Sequence, residues 1–294
     1  MSITYKRWTG LGLGAALAGS AILAGCGEAN APDTPAPDAG APSDSAQTTV
    51  SDPAPAPATG GEMGEGEGGE GGEGQGGEGG VNVSAASTDP VEYLSALAIT
   101  RAHAIAARDA YAAGETDAAA EMFAHPVSEV LLEMEPVFLA RGVEPFDALM
   151  TQASTAVFEG ESVDEINERT RAIFDALERA AQKAPQSDMA PGRVAAGVVA
   201  DQVSRAIDLY RGAEQSGAYE PYLDGYGYYL TAKALFDRQE AAIRSTAPEA
   251  AGEMQAAFSL LAEAFPTAER PDTLGGDASA MAVADARIQL ALSD

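Results

Sequence analysis

Cysteine is almost missing: Cys26 is the single one in 294 residues. No intrachain disulfide can form, and no zinc or iron–sulfur site built from several thiolates is available. Basic side chains are scarce, 17 Lys and Arg against 45 Asp and Glu, for a formal net charge of −28. Such a surface repels phosphate backbones, which excludes nucleic acid as a partner. Histidine occurs twice, at His103 and His125. No nucleophile elbow, phosphate loop, dinucleotide fingerprint or zinc-protease motif is present. The chain is therefore expected not to be an enzyme.

What is there begins with a leader. Lys6 and Arg7 precede Leu11 to Gly25, a small and apolar run without charge. The run is too short and glycine-rich for a span of about 20 apolar residues, and has the order of a secretory signal. It ends in Leu23-Ala24-Gly25-Cys26, which resembles the lipobox of bacterial lipoproteins. The resemblance implies a signal peptide over 1–25 and lipidation at Cys26, with a diacylglycerol on the thiol and a further acyl chain, such as palmitate, on the freed amine. Two or more chains anchor a protein to a membrane where one does not. The expected place is the periplasmic face of a bacterial membrane. Gly27 stands where an aspartate often signals inner-membrane retention, which points to the outer membrane. The alternative is an ordinary signal or signal anchor with an incidental cysteine.

Residues 26–88 are expected to be a disordered acidic tether. Residues 27–90 hold twelve acids and no base, first in an Ala/Pro-rich part, as in Asp52-Pro53-Ala54-Pro55, then in Gly/Glu repeats from Gly60 to Gly80. Proline extends such a chain, glycine loosens it and like charges swell it. Cation capture by these glutamates is the alternative, weakened by the entropy of ordering them.

From Asp89 the pattern turns to helical period, which predicts an all-α domain over 89–294, an antiparallel bundle of about eight helices. Asp89-Pro90 reads as an N-cap with proline at N1, opening a helix to Ala113 that Gly114 ends. The next segments are Glu115 to Arg141, Glu144 to Phe158, Ser162 to Lys183, Pro191 to Gln215, Tyr219 to Thr246, Pro248 to Phe265 and Ser279 to Leu292. Ser162-Val163-Asp164-Glu165 has the form of a capping box.

The two histidines carry the candidate chemistry. His103 lies 11 residues before Gly114 and His125 lies 11 after it. In an antiparallel hairpin, equal distances from the turn put residues at one height. Glu129 follows His125 by four residues and shares its face on a regular helix, with Glu133 a further turn on. Imidazole and carboxylate together suit iron, zinc or manganese. Pro126 is expected to bend the helix beside His125. The metal site expected is His103, His125 and Glu129; the competing reading is a helix-stabilising His125–Glu129 pair and scattered histidines. Ring separation discriminates: under about 5 Å favours a shared ion, and rings on opposite faces end the idea.

Five of the nine tyrosines crowd into 219–229. Tyr222, Tyr226 and Tyr229 share a face, and their hydroxyls are candidates for a ligand or for ligating carboxylates; the alternative is a wet-edged aromatic core patch. Gly225 and Gly227 permit close backbone approach. Asp224 and Glu220 are further candidate ligands, with Glu133.

Ala124-His125-Pro126-Val127-Ser128-Glu129, the partner helix with His103, and Tyr222-Leu223-Asp224-Gly225-Tyr226-Gly227-Tyr228 together resemble the helical periplasmic domains that accompany bacterial iron permeases, and more distantly the imelysin (EfeO-like) iron-uptake proteins. The likeness covers about 91–290. It implies a lipid-anchored periplasmic protein that binds iron or another divalent transition metal and works beside a metal permease or other envelope protein. The spacing His125-x-x-x-Glu129 is one residue longer than the imelysin His-x-x-Glu. The alternative function is a metal-free envelope structural or interaction lipoprotein.

Overall fold

Asp89 and Pro90 begin the central helix as their types demand. In the computed structural model, which describes residues 80–293, the Asp89 carboxylate accepts the Val91 N–H at 2.7 Å and Pro90 takes the first helical position. This helix, α2 (Pro90–Ala113), ends at Gly114, whose φ of 93° is the left-handed conformation that glycine adopts at least cost. A short α1 (Val83–Ala86) precedes it. After it come α3 (Thr116–Pro126), a π-helical stretch over Val127–Leu131, α4 (Leu132–Ala140), α5 (Asp147–Glu159), α6 (Val163–Ala181), α7 (Pro191–Ser216), α8 (Glu220–Thr246), α9 (Pro248–Ala264) and α10 (Ala278–Ser293). The domain is all-α, a helical bundle with no strand among the described residues. None of these helices is long and apolar enough to cross a membrane.

α2 is the axis of the bundle. It packs against α3, α6, α7 and α8, and its alanines Ala96, Ala102, Ala104, Ala106, Ala107 and Ala110 are all fully buried. Alanine on these buried faces lets neighbouring helices approach closely. α7 and α8 form the most extensive hairpin, and α9 and α10 pack on one another and on α7. Large side chains fill what the alanines leave: Tyr93 against Phe138, and Tyr210 and Tyr222 around Phe265.

Three boundaries differ from the sequence reading. The folded part begins before residue 89: Val81 and Ala86 are buried, Asn82 caps α1, and Arg205 donates to the Gly80 carbonyl at 2.8 Å. Val81-Asn82-Val83 is too short to show a period, so composition placed it with the Gly/Glu run. The expected single helix over 115–141 is broken by a π turn directly after Pro126. Proline has no N–H for the i−4 carbonyl, and the chain takes up the mismatch as a wider turn. α5 starts at Asp147, because Pro145 disfavours helical backbone at Glu144. Cys26, the signal segment and most of the tether lie outside the described residues.

Candidate metal centre

The site forms where α8 touches α2. Gly227 sits against the carbonyl of Ala102; a Cβ there would overlap that oxygen and meet the Ala106 Cβ at 3.1 Å. Gly225, two residues earlier, makes room for the Phe265 ring. The two helices therefore meet backbone to backbone one residue away from His103. That approach carries Asp224 to His103, with Nε2 and Oδ1 3.4 Å apart.

His103 is 4% exposed, and its Nδ1–H donates to the Ile99 carbonyl at 2.9 Å. In the neutral ring this bond leaves Nε2 as a bare lone pair aimed at Asp224. Burial pushes the His103 pKa down, against the Ile99 bond and the charge of Glu129, which push it up. Burial pushes Asp224 up to about 7, with His125 opposing and Glu220 and Glu129 adding to the rise. Both directions disfavour charge, so this contact is no ordinary salt bridge. Oδ1 of Asp224 is buried and accepts no hydrogen bond among the described residues. A buried, unsatisfied carboxylate oxygen needs a reason.

His125 stands across from His103, ring centroids 6.2 Å apart and nearly perpendicular. The separation falls between the 5 Å that favours a shared ion and the opposite faces that end the idea. Nε2 of His125 lies 3.9 Å from Oε1 of Glu220 on α8. Its acidic neighbour across the interface is thus Glu220, and the π turn between His125 and Glu129 replaces the regular i,i+4 relation. Glu129 touches none of these groups among the described residues, though its charge acts to raise the pKa of His103, Asp224 and Tyr228. Of the expected ligands, His103 meets Asp224 and His125 meets Glu220, and the two pairs are linked by the histidine rings. Glu133 is half-buried with an unpartnered Oε2, and nothing ties it to this cluster.

Of the two readings of the tyrosine segment, the contacts support the wet-edged aromatic core patch. Tyr222 donates to the Thr267 carbonyl, Tyr226 donates to Asp109, and Tyr229 stacks on Phe265. All three serve packing. The tyrosine at the site is Tyr228, whose ring meets His103 at 5.8 Å and lies under Arg205 at 6.0 Å. It follows Asp224 by four residues and so shares its face. That spacing was the available signal, masked by three more conspicuous rings.

The donors suit a metal. Two ligands about 2.1 Å from one ion at a tetrahedral angle stand about 3.4 Å apart, the separation of His103 Nε2 and Asp224 Oδ1. Two imidazoles and three carboxylates, without thiolate, fit iron, manganese or zinc. Among the described residues no three His, Cys, Asp or Glu side chains are already gathered tightly enough to hold an ion. The donors in contact are the His103–Asp224 pair and, beside it, His125 with Glu220.

No protein-family model matches the chain, and no curated protein or solved structure matches it significantly.

Proposed function

We propose that this chain is a non-enzymatic, lipid-anchored protein of the bacterial periplasmic face that binds a transition metal, iron foremost, for acquisition or transfer to an envelope partner. The observation that carries the reading is the buried bare Nε2 of His103 opposite the unsatisfied Oδ1 of Asp224, at a coordination-edge distance. His125, Glu129 and Glu220 add donors around them. The acidic surface of a chain with net charge −28 concentrates cations near the cluster. The lipobox supports anchoring through Cys26.

The test is metal analysis of the full chain after dialysis and reloading with Fe(II), Fe(III), Mn(II) or Zn(II). The expected result is one ion per chain, lost in His103→Ala and in Asp224→Asn. Equal metal content in wild type and both variants overturns it. Mass spectrometry of the chain from membranes tests the anchor, with the lipid mass expected to vanish in Cys26→Ala.

One observation favours the metal-free interaction reading. Leu132 and Leu139 are 65% and 55% exposed beside a depression lined by Phe138, Val143 and Phe146. An apolar exposed patch of this kind suits a protein partner. This reading predicts that Leu132→Glu disrupts function while metal-site variants do not.

A further inference from the structure

A second cavity shares no lining residue with the histidine cluster. It has a volume of about 300 Å³ and runs between α6 and the α7–α8 hairpin, with α2 as its floor. Its walls are apolar, from Leu94, Leu97, Leu177, Val198 and Leu235. That volume is at the lower end of small-molecule sites, which are apolar with a few placed polar groups.

The polar groups meet at Glu178. Arg101 is largely buried, its side chain 17% exposed and its guanidinium 4.1 Å from the centre of the Phe174 ring. Nη1 of Arg101 lies 4.0 Å from Oε1 of Glu178, and Nη1 of Arg238 lies 3.3 Å from the same oxygen. Two guanidiniums thus share one carboxylate, which is itself 57% exposed. The buried Nε of Arg101 donates to nothing among the described residues. Burial, then the charge of Arg238, pushes the Arg101 pKa down, so a further anion there relieves an existing cost. An excess of positive charge beside an apolar groove is conspicuous on a chain with 45 acids.

Leu94 and Arg101 are seven residues apart on α2, about 10.5 Å along the helix, and the guanidiniums of Arg101 and Arg238 meet at Glu178 beside the leucines. A guanidinium fork matches a planar carboxylate in two parallel hydrogen bonds. We propose that this groove binds an amphipathic monocarboxylate of the fatty-acid class, its alkyl chain along Leu94 and Leu97 and its carboxylate on Arg101 and Arg238. This site is independent of the metal reading.

Titration calorimetry of the full chain with decanoate tests it, with decanol and decyltrimethylammonium as comparisons. The expected result is saturable 1:1 binding of decanoate, at least tenfold weaker for decanol and undetectable for the cation. Arg101→Met and the more exposed Arg238→Gln should each weaken decanoate at least tenfold, and His103→Ala should leave it unchanged. Arg238→Gln keeps the test decisive if Arg101→Met fails to fold. The proposal is overturned if no saturable binding occurs, if decanol binds as well as decanoate, or if Arg238→Gln binds like wild type.

Discussion

Gly227 of α8 rests against the main-chain carbonyl of Ala102 in α2, the residue immediately before His103. This contact sets the distance between the helices that carry His103 and Asp224, so one missing methyl group links the packing of the bundle to its candidate site.

The first prediction follows from that contact. Gly227→Ala inserts a Cβ where the Ala102 oxygen already stands, and neither backbone can give way cheaply. Overpacking of this kind costs about 1–3 kcal/mol. Thermal or denaturant unfolding should show the loss. Metal binding should weaken as well, because α8 must move away from α2. By contrast, Gly252→Ala, where a Cβ meets nothing within 4 Å, should be neutral or slightly stabilising through better helix propensity. A Gly227→Ala variant as stable as wild type would contradict the close packing.

Much of this arrangement was legible in advance. Asp89-Pro90, Ser162 with Glu165, and Gly114 are local signals, decided by hydrogen bonds and φ angles within a few residues, and each marks the helix end it should. The equal distances of the histidines from Gly114 followed from helix rise alone, and their rings do face each other. What stayed hidden depends on other parts of the chain. The burial of Ala86 depends on the packing of α1 against α2 and α4. The pairing of His125 with Glu220 rather than Glu129 depends on a π turn and on a helix about a hundred residues away. Tyr228 stays hidden because helical spacing shows which rings are neighbours on α8, not which face of α8 meets α2.

A second prediction isolates a local signal. The Ser162 hydroxyl accepts the Glu165 N–H at 3.3 Å, and the Glu165 carboxylate accepts the Ser162 N–H at 2.8 Å. Ser162→Ala leaves the Glu165 N–H at the start of α6 without its side-chain acceptor, at a cost of about 1 kcal/mol. For a domain of this size that lowers Tm by roughly 2–4 °C. Metal content should not change, since α6 contributes none of the clustered ligands. A drop in metal content would show that the site depends on α6.

The third prediction concerns pH, with metal removed by a chelator. In the folded chain Asp224 titrates near 7, raised by burial above its ordinary 3.8. Between about pH 4 and 7 the folded carboxyl therefore holds a proton that the unfolded one has released. Stability from this group falls as pH rises through that window and levels off above it, by an upper limit of roughly 4 kcal/mol. His103 works in the opposite sense. Its pKa is lowered by burial, so it takes stability away as pH falls below about 6.5. Many other acids titrate here, so the measurement is a difference. Asp224→Asn should gain stability relative to wild type as pH rises from 4 to 7. A difference that stays flat would mean that Asp224 is ionised throughout.

The last prediction joins stability to the metal. An ion that binds only the folded chain stabilises it by about 2.7 kcal/mol at a free concentration 100-fold above Kd. The proposed ligands lie on α2, the end of α3, the π turn and α8, so a bound ion would tie these elements together. Hydrogen exchange should slow most in the first turns of α8 and around the π turn, with little change in α9 and α10. His103→Ala removes the buried donor and should abolish the Tm increase. His125→Ala removes a half-exposed donor that other oxygens can replace, and should leave a smaller increase. If His125→Ala abolishes the effect and His103→Ala preserves it, the ion sits at the outer pair of His125 and Glu220 rather than at His103 and Asp224.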